Sequence, residues 1–213
     1  ESDRWISEAK VIKAYLHFWL LNMYGPIPLI KESVDVSVTG DESQPYREPV
    51  DSVFNYIIEL IDEAAPNLPL KIDNEAEELG RITLPVALAL KAKILTYAAS
   101  PLFNGNPDYA DFIDGRGVNL FPTVYDPLKW EKAAEALREA IDVCHEAGHK
   151  LFDFSLLPES HGLNEMTILT MQVRGAMTER WNSEIIWGDS RDNLNQLQRF
   201  GHPFFVHWHT NGP

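Results

Sequence analysis

The sequence predicts a mainly all-α fold of helical hairpins that is followed by a long irregular C-terminal segment. Four stretches within residues 1–147 place apolar side chains at the i, i+3/i+4, i+7 spacing of one helix face. Gly and Pro residues stand between these stretches, where helices end. The chain lacks the series of alternating apolar residues that would build a large sheet.

The first two helices are expected over residues 4–24 and 50–65. The first carries a wide apolar stripe, made of Trp5, Ala9, Ile12, Leu16, Trp19, Leu20 and Met23. Gly25-Pro26 should end this helix, and Pro66 should end the second one. The polar residues 31–49 between them are typical of a loop.

The third and fourth helices are expected over residues 84–99 and 127–147. Alanines in residues 84–99 allow close approach of a neighbouring helix. The connection between these helices, residues 100–126, is rich in Gly, Pro, Asn and Asp, and loops of that length are often functional. Its Asp residues lack the alternating spacing of a calcium-binding EF-hand loop. A further helical stretch is expected near residues 165–178.

Composition excludes several classes of protein. A net charge of -14 and the lack of a basic patch argue against a nucleic-acid-binding protein. The single cysteine, Cys144, rules out an internal disulfide and a cysteine-based zinc site. Neither a membrane-spanning apolar stretch nor a signal peptide is evident. The chain begins at Glu1 without a methionine, so we expect a processed or trimmed piece of a longer protein.

The motif His145-Glu146-Ala147-Gly148-His149 matches the H-E-x-x-H pattern of zinc hydrolases. A zinc site would require the helix to continue through both histidines and a third ligand to lie nearby. Gly148 follows directly after the periodic apolar run, where a glycine commonly caps a helix. We therefore favour a helix C-terminus over a metal site, and we predict no bound metal.

Other catalytic motifs are absent from the sequence. The chain contains neither a G-x-S-x-G elbow nor a P-loop, and it has no dinucleotide-binding glycine motif. A helical glycosidase with paired carboxylates stays an open alternative, because sequence alone cannot pair carboxylates. No nucleophile stands in a plausible partner motif.

Aromatic residues supply the candidate binding site. Trp5, Trp19 and Trp130 stand at helical core spacing, so we expect them to be buried. The irregular C-terminal part holds Trp181 and Trp208 together with Asn193. Tryptophan rings can stack on the C–H faces of sugars, and amides can bond to hydroxyl groups. We therefore choose these last three residues as candidate ligand contacts.

Four segments in order resemble the SusD/RagB family of outer-membrane nutrient-binding lipoproteins from Bacteroidetes. They are ISEAKVIKAYLHFWLLNMYGPIPLI, REPVDSVFNYIIELIDEAAPNLP, GRITLPVALALKAKILTYAASPLFNGN and WEKAAEALREAIDVCHEAGHKLF. The resemblance covers residues 1 to about 155. It implies a tetratricopeptide-like helical repeat core over residues 1–155 and the start of an irregular, aromatic-rich ligand-binding subdomain over residues 156–213.

The family resemblance also implies a location and a function, namely that of a binding protein that is not an enzyme and requires no cofactor. Its members capture glycans, or in some cases peptides, at the cell surface and pass them to a SusC-like TonB-dependent transporter. They are held at the outer membrane by an N-terminal lipidated cysteine, so we expect this chain to be a fragment of a longer protein that carries such a cysteine. Besides the helical glycosidase, two further alternatives stay open: a helical-repeat scaffold that binds only proteins, and, with less support, a zinc hydrolase that uses His145, Glu146 and His149.

Overall fold

Six α-helices form the frame of the protein in a computed structural model that describes residues 1–32 and 45–188. They are α1 (Ser2–Tyr24), α2 (Val50–Ala64), α3 (Glu75–Glu78), α4 (Leu84–Ala99), α5 (Leu128–Ala147) and α6 (Glu165–Thr178). Within the described residues the extended pairing is limited to one isolated bridge, between Ile113 and Asn119. The predicted all-α fold is thus confirmed, and the short helix α3 is an element that the sequence did not suggest.

Glycine and proline set the helix ends where the sequence predicted them. α1 ends at Tyr24 because Gly25 takes a positive φ of 70°, and the Gly25 N–H donates to the Leu21 carbonyl oxygen at 2.8 Å. Pro66 lies in a single 3₁₀ turn that closes α2. Pro85 lies in the first turn of α4, where a missing N–H costs nothing.

The longer helices pack as antiparallel neighbours in chain order. α1 and α2 are joined by an ion pair of 2.7 Å between Lys10, in the first half of α1, and Glu63, at the end of α2. Lys91 on α4 pairs with Asp62 on α2 at 2.6 Å. α4 and α5 approach closely through small residues, among them Ala92 and Ala140. The small residues predicted to allow close helix packing are therefore used in that way.

The main core lies between α1, α2 and α4. Its fully buried side chains include Val11, Leu21, Ile57, Ile61 and Ile94. Burying one such side chain contributes about 1.5–3 kcal/mol. Truncating Ile57 to alanine would therefore cost about 2–5 kcal/mol, because the cavity adds to the lost transfer energy.

The expectation that Trp5, Trp19 and Trp130 are buried was wrong. Their side chains are 62%, 51% and 43% exposed. α1 instead buries a second stripe, made of Ser7, Val11, Ala14, Phe18 and Leu21. α5 buries its small residues, Ala133, Ala136, Ala140 and Cys144. Both helices carry apolar residues on two faces, so periodicity alone could not indicate which face is covered.

α6 returns to the chain that precedes it. The Phe154 N–H donates to the Gln172 side-chain oxygen at 2.6 Å, and Gly175 lies against the Phe152 ring with no room for a Cβ. These contacts cross residue 155, where we expected one domain to end; that division stays a prediction. None of the described helices is long and apolar enough to cross a membrane.

Candidate functional site

A pocket of about 200 Å³ lies where the segment after α6 returns to the connection between α2 and α4. One wall is formed by Trp181, Ile185 and Trp187. The opposite wall comes from residues 70–83, and Ala147 and His149 close one side. The site therefore combines three parts of the chain that are far apart in sequence, and one of its walls carries two tryptophan rings.

Trp181 has an unusual backbone conformation. Its φ of 52° lies in the left-handed region, and it is the one non-glycine residue with positive φ among the described residues. A bulky residue in this region is strained by about 1–3 kcal/mol. Its ring packs against Gly188, where an added Cβ would lie 3.1 Å from the ring. Such strain persists only where the surroundings enforce it, which makes Trp181 a candidate functional residue.

Asn182 is the residue that enforces the turn at Trp181. Its side-chain amide donates to the carbonyl oxygens of Ala176 and Glu179, both at 3.0 Å, at the end of α6. Its side-chain oxygen accepts a hydrogen bond from the Glu184 N–H at 2.9 Å. Asn182 thus ties the end of α6 to the segment that carries both tryptophans.

Trp187 fixes the other end of this wall. Its ring meets the Tyr15 ring edge-on at 5.4 Å, and its indole N–H donates to the Gly80 carbonyl oxygen at 3.1 Å. The Lys150 N–H also donates to the Ser183 carbonyl oxygen at 3.0 Å. With its polar atom already bonded, Trp187 offers a bound molecule only its ring.

The charges around the pocket are mostly engaged with one another. Arg81 pairs with Glu8 at 2.8 Å and with Glu78, which also pairs with Arg4 at 3.2 Å. The hydrogen bond to Glu8 raises the pKa of Arg81 above its usual value, so the guanidinium stays charged. Lys71 and Glu75 place opposite charges at the rim. This arrangement suits an uncharged ligand better than an ionic one.

The motif His145-Glu146-Ala147-Gly148-His149 forms a helix end. α5 stops at Ala147, and Gly148 has a left-handed φ of 95°. The N–H groups of Gly148 and His149 donate to the carbonyl oxygens of His145 and Cys144, both at 2.9 Å. The helix therefore does not continue through both histidines, as a zinc site of this type requires, and the prediction of a C-cap at Gly148 is confirmed. No three His, Cys, Asp or Glu residues within the described ranges are grouped to hold a metal.

Of the three candidate contacts chosen from sequence, only Trp181 can be placed, and it lines the pocket. Asn193 and Trp208 lie outside the described residues. Sequence reasoning missed the roles of Asn182 and Trp187. Trp187 stands among several aromatic residues in the C-terminal part, and no sequence spacing distinguishes it from the others. The role of Asn182 depends on where α6 ends.

Comparison with solved structures finds proteins that are similar to this chain. No protein-family model matches the chain, and no curated protein matches it. The solved structure of BT4246 is 32% identical over 89% of this chain, with a TM-score of 0.77. Two more distant structures share the fold. The SusD-like protein BF3747 from Bacteroides fragilis NCTC 9343 is 17% identical over 72% of this chain and 22% of its own, with a TM-score of 0.50. A SusD homolog from Bacteroides thetaiotaomicron VPI-5482 is 23% identical over 71% of this chain and 24% of its own, with a TM-score of 0.51.

The chain has the fold of the SusD-like proteins. The resemblance found in its four sequence segments is confirmed by these structures. The chain spans about a third of the length of BT4246, since the match covers 35% of that protein. The tryptophan pocket lies where the segment after α6 packs back on the connection between α2 and α4.

Proposed function

We propose that this SusD-like chain belongs to a non-catalytic protein that captures oligosaccharides at the cell surface and passes them to a SusC-like TonB-dependent transporter. The protein would be a lipoprotein held at the outer membrane. The observation that carries the proposal is a pocket walled by two tryptophans in a SusD-like frame. Aromatic rings accept the C–H faces of sugars, and the balanced rim charges suit a neutral ligand.

The strained Trp181 supports the same proposal. Strained residues cluster at binding sites, where the surroundings hold a side chain in the geometry that the ligand requires. Here Asn182 enforces the turn and Gly188 leaves room for the ring. A pocket prepared in this way would order few groups on binding, and less free energy would be lost.

The experiment is a polysaccharide screen on the full-length protein by affinity gel electrophoresis, followed by calorimetry with oligosaccharides from any polysaccharide that retards it. Trp181→Ala should weaken binding about tenfold or more, whereas Trp130→Ala should leave it unchanged. Trp130 is a matched control because it is an exposed tryptophan on α5, outside the pocket. Absence of retardation by every polysaccharide would contradict glycan capture.

Delivery to a transporter requires a separate measurement. The full-length protein should co-purify with a SusC-like barrel expressed from the same cells, and the complex should survive Trp181→Ala, because the pocket serves the ligand and not the transporter. Failure to isolate any such complex after mild detergent extraction and chemical crosslinking would count against delivery while leaving glycan capture intact.

A second candidate function is a scaffold that binds proteins. The exposed apolar face of α1 supports it, with Trp5, Leu16, Trp19 and Met23 all about half exposed or more. Apolar patches of this kind often mark protein contacts. Replacing Leu16 and Trp19 by glutamine should abolish protein binding and leave glycan retardation unchanged if the face serves only as a scaffold. Saturable oligosaccharide binding at the tryptophan pocket would favour the first function.

A further inference from the structure

An aromatic cleft of about 310 Å³ lies at the end of α1, where it meets the long connection between α4 and α5. Tyr109 and Phe121 stack with ring centroids 4.4 Å apart, and Phe112 is tilted against Phe121 at 5.9 Å. Phe103 lies parallel to Phe121 at 6.1 Å and is buried beneath it. The Tyr24-Gly25-Pro26 turn forms the facing wall. Residues 100–126, whose length suggested a function, thus present a cluster of rings to one cleft.

The cleft is held in shape by hydrogen bonds within the connection. The Asn119 side-chain amide donates to the Ala110 carbonyl oxygen at 2.7 Å, and the Leu120 N–H donates to the Phe112 carbonyl oxygen at 3.0 Å. The Asp114 carboxylate accepts from the Val118 N–H at 3.0 Å and closes the turn between these two bonds. The ring positions are therefore set before any ligand arrives, which lowers the entropic cost of binding.

The chemistry of the cleft is aromatic, partly exposed and uncharged. Tyr109 and Phe112 are 36% and 39% exposed, whereas Phe103 and Phe121 form a buried floor. Among the described residues, none of those that line the cleft carries a charge, although the chain holds 18 basic and 32 acidic residues. Asn22 and Tyr109 both line the cleft and are exposed, and their amide and hydroxyl groups can donate and accept hydrogen bonds.

These features select a class of ligand. An ionic ligand would lose its hydration without gaining a counter-charge, so it is disfavoured. A purely apolar ligand would use only the rings, and it would gain nothing from the Asn22 amide or the Tyr109 hydroxyl, which would stay hydrated. A neutral sugar ring combines a C–H face, which can lie on the exposed Tyr109 or Phe112 ring, with hydroxyl groups at its edge for Asn22.

We propose that this cleft is a second glycan-binding site, which takes a neutral sugar ring and is separate from the tryptophan pocket. The proposal rests on the proposed function, since it assigns the same class of ligand to another part of the chain. The two sites share no lining residue: one uses residues 70–83, 147–149 and 181–188, and the other uses residues 21–26 and 102–121. Substitutions can therefore abolish binding at one site without changing the residues that line the other.

The test is saturation-transfer NMR on the full-length protein with three neutral probes: methyl β-D-glucopyranoside, methyl β-D-galactopyranoside and methyl α-D-mannopyranoside. Methyl β-D-glucuronate serves as the charged counterpart. To isolate the cleft, the measurements use the Trp181→Ala background. At least one neutral glycoside should give a saturable signal, and Tyr109→Ala or Phe112→Ala should weaken its binding about tenfold. The glucuronate should bind more weakly than the matching glucoside.

Two further variants guard against loss of folding. Tyr125→Ala changes an exposed ring in the same connection but outside the cleft, and it should bind as the parent does. Tyr109→Phe keeps the stacking ring and should retain most of the binding, while its thermal midpoint reports on the fold. Equal binding by Tyr109→Ala, Phe112→Ala and the parent would overturn the proposal. So would the absence of any glycoside signal, which would make the cleft an apolar contact for a protein partner.

The measurements distinguish an incorrect second-site proposal from an incorrect proposed function. If polysaccharide binding by the full-length protein depends on Trp181 but not on Tyr109 or Phe112, the second site is wrong and glycan capture stands. If no polysaccharide binds the full-length protein and no glycoside gives a signal, both are wrong.

Discussion

The indole N–H of Trp187 donates a hydrogen bond of 3.1 Å to the carbonyl oxygen of Gly80, 107 residues earlier in the chain. Gly80 stands between α3 and α4, and the Trp187 ring also meets Tyr15 on α1. This one side chain thus joins the segment after α6 to two parts of the helical frame. This attachment holds the wall that carries both tryptophans against the rest of the pocket.

Replacing Trp187 by phenylalanine should lower the free energy of unfolding by about 1 kcal/mol. The substitution keeps an aromatic ring against Tyr15 but removes the donor to Gly80, and one hydrogen bond contributes about 0.5–1.5 kcal/mol net. Urea unfolding followed by circular dichroism would measure the change. Trp130→Phe is the control, because no hydrogen bond from the Trp130 side chain is seen among the described residues. Equal losses in the two variants would contradict the role of the Trp187–Gly80 bond.

At Trp181, glycine should give a more stable protein than alanine, by about 1 kcal/mol. Both substitutions remove the ring, so they lose the same packing against Gly188. Only alanine retains a Cβ in the left-handed conformation, whose cost is about 1–2 kcal/mol per residue. Thermal unfolding of the two variants measures the difference directly. At an unstrained position glycine would be the less stable of the two, so that order would refute strain at Trp181.

The helical frame could be predicted from sequence because its signals are local. Gly25, Pro66 and Gly148 each mark the end of a helix through their own backbone preferences, without reference to the rest of the fold. The predicted range 84–99 agrees with α4 for the same reason. Four segments read in order then gave the family resemblance, which the solved structures support.

The buried faces and the site could not be predicted in this way. α1 has one apolar stripe through Val11 and Phe18 and another through Trp5 and Trp19, and only the first is covered. Which stripe is covered depends on where α2 and α4 pack, and tertiary packing is not encoded in the local apolar pattern. The tryptophan pocket depends on contacts such as Trp187 to Gly80, between residues that no sequence spacing relates.

Replacing Gly148 by alanine should lower the free energy of unfolding by about 1 kcal/mol or more. Gly148 caps α5 at a φ of 95°, which an alanine adopts only with strain. Gly115→Ala is the matched control, because Gly115 lies in a loop without a positive φ and a Cβ added there would meet no atom within 4 Å. That variant should be neutral or slightly more stable. Equal stability of the two variants in urea would show that the cap at Gly148 is not strained by a side chain.

The stability contributed by Asp114 should depend on pH. Burial alone would raise the pKa of its carboxyl, but hydrogen bonds from the Val118 N–H and from Arg116 outweigh burial, so the pKa lies below its ordinary value. A carboxyl whose pKa is lowered in the folded state stabilises the protein fully above its unfolded pKa of about 3.9. This contribution is lost as the pH falls below that value and through the lower pKa of the folded state. Asp114→Asn should therefore be less stable than the parent at pH 7, and the gap should narrow between pH 5 and pH 3. Urea unfolding across this range measures the gap, and subtracting the two curves removes the effect of every other carboxyl. A gap that stays constant with pH would mean that the charge of Asp114 does not hold the turn beneath the aromatic cleft.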